Sequence, residues 1–452
     1  MNKKFMLAIA VLALQGCAVY QAAPLPDAPT FATRLQDVPG KVPPHTFDAS
    51  DGLDMTEVAT LAVLNNPELR TARVALKVTQ AQSFASGLLP DPQFNLTRDF
   101  PTHPTEGLTS DFVASLSYAF NALLTHSAQA EAATADEKQA RLNLAWQEWQ
   151  VIAQSRLLFV RLSIAAQRKA LLEETRAVVA DRYARTKQAM DAGLVTLDVV
   201  TPHLSALQDV DRQLSDLQRQ TNQARFDLIA LLGLAPDAPL VLQGEADLPA
   251  IDAAATQGRL PALLAARPDV QALRAGYDAQ DARYRIALLG QFPALTLGVQ
   301  SSRDTSNAYT RGFAIGLTLP IFNGNRGEIR VQDATREKLR ADYQQRLNAG
   351  SIDVQRTLAE QQISLRQEAD IETALVTLRA ARERMKAAFA AHNADALSLA
   401  TLEISTLAKE SERLDALQAV QEQRVALLTL TGTTTGYPLN AALVGSAKGH
   451  LN

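Results

Sequence analysis

The chain has 452 residues, 47% of them hydrophobic and 20% charged, enough apolar content for two or three folded domains and too much for a disordered chain. A formal net charge of -4, with no clustered basic face, excludes nucleic acid as a bulk electrostatic partner. Aromatic residues make up only 5%, while Ala, Leu, Gln, Arg and Glu fill long tracts, as in extended helices with narrow, closely packed seams.

The N-terminus carries an address. Lys3 and Lys4 precede an apolar run from Phe5 to Leu14, too short to span a membrane, and LQGC ends it at Cys17. A cysteine directly after Leu-x-Gly resembles the lipobox of a bacterial lipoprotein, in which the thiol is diacylated. Residues 1–17 are therefore expected to be a lipoprotein signal peptide with Cys17 as the lipidation site. Cys17 is the only cysteine, so the chain forms no internal disulfide. Residues 18–53 hold Pro24, Pro26, Pro29, Pro39, Pro43 and Pro44 and read as an extended tether.

A first unit is expected over residues 54–233. Its opening helix starts at Met55, capped by Asp54 with Glu57 three residues on, meets Pro67 and runs to about Leu89. Period-two alternation then predicts strands at about 93–100 and 111–120. Phe94, Leu96, Phe112, Leu116 and Tyr118 take one parity, and Asn95, Thr97, Ser115 and Ser117 the other. Residues 123–190 contain neither proline nor glycine. At about 1.5 Å per residue, one helix there is on the order of 100 Å long, far more than a globular core needs. Gly193 breaks it, and a second helix returns over about 197–232 with Pro202 in its first turns.

Residues 234–261, rich in Ala, Pro, Gly and Asp, read as a linker to a second unit over 262–432. ARPDVQALR placed under NNPELRTAR puts Pro67 on Pro268, and the same offset puts Pro92 on Pro293 and Leu96 on Leu297. The chain is thus an internal tandem repeat. Strands are predicted at about 294–303 and 311–320, where Leu295, Leu297, Phe313, Ile315 and Leu317 alternate with Thr296, Gln300 and Thr318. A long helix over about 328–391, broken at Gly350, a turn at HNADALSLATLE and a last helix ending at Gly432 complete the unit. Residues 433–452 read as a flexible polar tail.

Four strands cannot close a barrel, and a strand edge in lipid must be paired. Three chains would supply twelve strands, an even number within the known range. With the apolar parity toward lipid, Asn95, Thr97, Ser115, Ser117, Thr296, Gln300 and Thr318 would line a wet lumen, and the long helices would continue the wall as a tube. The fold class is mainly α with membrane β: a trimeric twelve-stranded barrel continued by an α-helical barrel.

NNPELRTAR, ARPDVQALR, GLLPDPQFNL, LLGQFPAL and GLTLPIFNGNRGEI together resemble the TolC-like family of outer-membrane efflux channels, in its lipoprotein branch, over about residues 54–432. The last segment is similar to the heavy-metal efflux members. The resemblance implies a homotrimer in the outer membrane of a Gram-negative bacterium, lipid-anchored and extending as a coiled-coil conduit into the periplasm. It would dock a periplasmic adaptor (membrane-fusion) protein and an inner-membrane efflux transporter. It also implies a closed aperture where the long helices turn, with Asp191, Asp198, Asp395 and Glu403 as candidates and TLDVV matched to TLEIS. No enzyme activity, cofactor or metal site is implied: the six histidines are scattered, and no nucleophile elbow or phosphate loop occurs. The competing reading is a lipid-anchored periplasmic coiled-coil scaffold or adaptor without a pore.

Overall fold

The computed structural model describes residues 20–26, 28, 31–32, 52–102, 107–246 and 248–432. Cys17 and the tail 433–452 lie outside them, as does most of the tether. The elements follow in two similar series. The first is α1 (Met55–Asn65), α2 (Pro67–Ser86), β1 (Gln93–Asp99), β2 (Asp111–Ala119), α3 (Asn121–Asp191) and α4 (Leu197–Leu231). The second is α5 (Ala253–Ala266), α6 (Pro268–Leu289), β3 (Ala294–Arg303), β4 (Tyr309–Thr318), α7 (Arg326–Ala390) and α8 (Ala396–Thr431).

Local chemistry explains most boundaries. Asp54 caps α1 in a reciprocal box: its carboxylate accepts from the Glu57 N–H at 2.7 Å, and the Glu57 carboxylate accepts from the Asp54 N–H at 2.9 Å. Proline at the first helical position, Pro67 in α2 and Pro268 in α6, divides each opening helix in two. α5 begins inside the stretch read as linker. Asp252 caps it by accepting from the N–H groups of Ala254 and Ala255, and the helix buries Thr256, Leu260 and Leu264. Proline and glycine content suggested a linker there, but an apolar stripe with somewhere to pack overrides propensity.

α3 runs unbroken for 71 residues and α7 for 65. Gly350 does not break α7. The backbone passes through it as helix because a Cβ there would come within 2.9 Å of Leu264 Cδ2, so the glycine admits α5 and not a turn. Ion pairs stitch α3 to its neighbours along its length: Arg285 to Glu131 at 2.7 Å, Arg161 to Glu422 at 2.9 Å and Arg176 to Asp211 at 2.6 Å. Each is solvent-exposed and contributes little, so the apolar seams carry most of the packing energy.

The core lies mid-length on the helices, where α1, α3 and the end of α4 bury Leu53, Val58, Phe159, Leu228 and Leu232. The tether enters this core as single parallel bridges, Ala32 to Leu234 and Leu53 to Leu242. A guanidinium knot stands beside it. Arg267 and Arg346 both pair with the buried Asp269 and both lie over the Trp146 ring, at 5.0 and 5.7 Å from its centroid. Trp146 and Trp149 are thus packing residues.

The four strands form one antiparallel sheet in the order β1-β2-β3-β4. Both outer strands are exposed along their whole length, and among the described residues no strand pairs with their outer edges. Among the described residues no helix is long and apolar enough to cross a membrane.

Candidate functional site

The register decides which strand residues share a face. Asn95 is opposite Ser115 and Ser115 opposite Gln300; Thr97 is opposite Val113, which is opposite Ser302. Ser117 is opposite Gly298, Thr296 is opposite both Ala119 and Gly316, and Thr318 is opposite Ala294. Directly opposed residues project to the same side, so all seven lumen candidates occupy one face. Around them stand only polar or small side chains and Val113.

The other face is apolar along most of its height. It carries Phe94, Leu96, Phe112, Leu116, Leu297, Val299, Phe313, Ile315 and Leu317, all exposed, Phe313 at 91% and Phe94 at 66%. Exposed Leu88, Leu89, Phe292, Ile321 and Phe322 extend the apolar surface to the end where the helices begin. A strand of ten residues is roughly 33 Å long, and at a barrel's tilt it spans roughly 25 Å, the height of an outer-membrane apolar band.

The polar face also holds residues beyond the seven lumen candidates. Gln93, Asp99, Asp111, Ser302 and Thr310 share the polar side, and Asp99 stands directly opposite Asp111 near the hairpin loops.

The second candidate region is the far end of the long helices. Asp191 is the last residue of α3, exposed. Asp198 lies exposed in the first turn of α4, where a hydrogen bond from the Thr196 hydroxyl, then its own backbone N–H, holds its carboxyl below the usual range. Asp395 caps α8, accepting from Ser398 N–H at 2.8 Å and Ser398 Oγ at 2.7 Å, and these bonds lower its pKa as well. Glu403 differs from all three: its side chain is 23% exposed and 3.9 Å from Lys386 of α7.

A cavity of about 630 Å³ joins the two helical hairpins here, lined by Asp181, Arg182, Val199, His203, Leu397 and Glu403 among others. Desolvation, and next the charge of Arg182, lower the pKa of His203. Of the four acidic candidates only Glu403 lines this cavity; Asp191, Asp198 and Asp395 sit on the exposed turns around it.

The turns also correct the matching of TLDVV to TLEIS. Leu194 N–H donates to Ala189 carbonyl, and Asn393 N–H donates to Ala388 carbonyl, closing the same turn. Gly193 at φ 74 and His392 at φ 57 occupy the same left-handed position, and Thr196 and Asp395 the same cap position. The partner of Asp198 is therefore Leu397, and Glu403 falls opposite Leu204. Asp198 and Glu403 do not occupy equivalent positions of the two turns.

Residues 260–433 match the model of the family described as outer membrane efflux protein. The chain is 24% identical to the cobalt-zinc-cadmium resistance protein CzcC of Cupriavidus metallidurans, over 70% of this chain and 75% of that one. It is 26% identical to the pyoverdine export outer membrane protein OpmQ of Pseudomonas putida, over 80% of this chain and 82% of that one. The solved outer-membrane channel OprN superposes with a TM-score of 0.71 at 19% identity, covering 92% of this chain and 99% of the channel.

The chain is similar in sequence to outer-membrane efflux proteins. The OprN likeness covers 92% of the chain, so the four-stranded sheet and the two long hairpins share the fold of that channel.

Proposed function

We propose that the protein is the outer-membrane channel of a tripartite efflux system, a passive exit duct across the periplasm. In this reading three chains pair β4 of one with β1 of the next and close a twelve-stranded barrel. The apolar face meets lipid, the face with Asn95, Ser115 and Gln300 meets water, and the helices extend into the periplasm. There they meet a periplasmic adaptor and an inner-membrane transporter that delivers the cargo. Cys17, diacylated, anchors the mature chain. Asp191, Asp198, Asp395 and Glu403 form the constriction region at the helix turns, where threefold repetition makes rings of carboxylate that favour cations.

One observation carries this reading: a two-faced sheet whose outer edges meet no strand among the described residues. In lipid each unpaired backbone group costs several kcal/mol, so β1 and β4 must find partners, and copies of the same chain supply them. The scaffold reading leaves the apolar face in water, against the tendency of soluble proteins to avoid large exposed apolar patches.

The test is native mass spectrometry of the detergent-extracted protein together with planar-bilayer recording. A trimeric mass and discrete conductance steps are expected. A Cys17→Ala protein that is water-soluble, monomeric and never conducts would overturn the channel.

A further inference from the structure

The outward face changes character near the hairpin loops. Along one row of the register stand Arg98, Phe112, Arg303 and Tyr309, and Arg311 lies in the adjacent row opposite Ser301. All three arginines have the parity of Phe94, Leu116 and Phe313, so they project on the apolar side.

Arg98 and Arg303 converge on one neutral group. Arg98 donates to Ser110 Oγ through Nε at 3.4 Å and Nη2 at 3.3 Å, and Arg303 Nη2 donates to the Ser110 carbonyl at 3.0 Å and to Oγ at 3.2 Å. The Arg98 guanidinium also lies 5.0 Å from the centroid of the Phe100 ring. Arg303 Nε is shielded from solvent and has no hydrogen-bond partner. No carboxylate neutralises the group among the described residues. Asp99 and Asp111 project to the opposite face, and the Asp304 carboxylate turns into its own loop, accepting from the N–H groups of Ser306 and Ala308.

An apolar trough of about 580 Å³ lies lower on the same face, between Leu116, Tyr118, Leu297, Val299, Phe313 and Ile315. Arg303 is four residues along β3 from Val299, about 13 Å at strand rise. Cations near the loops with an apolar groove below them match an amphiphile whose anionic head stands at the membrane surface and whose chain points inward.

We propose that this face binds a phosphorylated glycolipid of the outer leaflet, with its phosphates on Arg98, Arg303 and Arg311 and an acyl chain in the trough. Arginine suits phosphate because its planar fork presents paired donors, and three per chain become nine around a trimer. The inference rests on the proposed channel orientation, with the hairpin loops at the cell surface.

The experiment titrates the purified full-length protein in nonionic detergent with diphosphorylated lipid A, its dephosphorylated form and inorganic phosphate, read by native mass spectrometry. Wild type is expected to bind the diphosphorylated lipid at least about tenfold more tightly than the dephosphorylated one. The combined R98Q, R303Q and R311Q substitutions should abolish that preference, and the matching triple lysine variant should keep part of it. Equal binding of the two lipids by wild type would overturn the proposal, as would full competition by inorganic phosphate at the lipid's concentration. So would an unchanged preference in the triple glutamine variant. In parallel, Ser306→Cys is labelled on whole cells with a membrane-impermeant maleimide. Labelling with no lipid preference overturns the lipid site alone, whereas a folded, unlabelled protein overturns the orientation and the proposal with it.

Discussion

The two series of elements solve the same two geometric problems with different side chains. At the kink that opens each half, the residue before proline reaches the end of the returning helix. In the first half Asn66 Nδ2 donates to the Leu231 carbonyl at 3.0 Å, assisted by Asn65 Nδ2 to Leu232 carbonyl at 2.6 Å. In the second half Arg267 reaches the equivalent carbonyl of Leu430 at 3.4 Å, and its charge is held by Asp269 and the Trp146 ring. At the far turn the left-handed position is Gly193 in one half and His392 in the other. Backbone geometry is what the two halves share; the first half meets it with neutral, unstrained residues and the second with buried charge and a strained histidine.

That contrast can be broken at the kink first. Asp269→Asn removes the carboxylate shared by Arg267 and Arg346 while Arg267 stays buried, with an expected loss of about 3–5 kcal/mol. Asn66→Ala leaves the Leu231 carbonyl without its side-chain donor and should lose about 1–3 kcal/mol. Thermal unfolding of the detergent-solubilised protein ranks the two. A larger loss at Asn66 would mean that the charged knot is not the tighter latch.

The turns give the next effect and the opposite signs. Gly193→Ala forces a Cβ into a left-handed backbone with open space around it, so only the conformational penalty applies, about 1–2 kcal/mol locally. His392→Gly relieves the corresponding penalty and should tighten its turn by up to about 1 kcal/mol. Amide exchange at residues 189–196 and 388–395 reads each turn separately, and exchange slowed by Gly193→Ala would sink the equivalence of the two positions.

Much of this architecture was legible before any coordinates. Alternation at Phe94 to Tyr118 and at Leu295 to Leu317 marked the strands, because a two-faced sheet writes its period directly into the sequence. The gap in proline and glycine over 123–190 marked α3 for an equally direct reason. What stayed hidden depends on packing partners distant in sequence. Gly350 looks like a break until Leu264 is placed against it, and α5 looks like linker until its stripe finds a surface. At the turns, similar letters in TLDVV and TLEIS outweighed the less visible signal, a histidine doing a glycine's work. The shared face of the seven strand residues could be read because parity is local; Glu403 could not be told from Asp198, because Lys386 and the cavity come from other helices.

The acids at the turns sharpen the comparison further. Glu403 is half-buried and faces charge, whereas Asp198 and Asp395 are exposed caps. If the tip is a gate, Glu403→Gln should change single-channel conductance or cation block more than Asp198→Asn does, since only the former alters a contact between helices. Equal effects from both substitutions would mean that the Glu403–Lys386 contact does not set the aperture.

The smallest effect is one of pH. Hydrogen bonds from Ser398 hold the Asp395 carboxyl below its ordinary value, so the folded turn binds its proton less readily than the unfolded chain does. The stabilisation is then complete above the unfolded pKa, about 3.9, and is lost as pH falls through the lower folded value. Asp198 follows the same sign through the Thr196 hydroxyl. Both groups are open to solvent, so the change is local: the first turns of α4 and α8 should fray below about pH 4 while the sheet and mid-length core remain folded. Asp395→Asn keeps a side-chain acceptor for Ser398 N–H but has no proton to gain in this range, so amide exchange at 396–399 should lose its acid dependence in that variant. If exchange there accelerates in acid as steeply as in the unaltered protein, the cap is not what titrates.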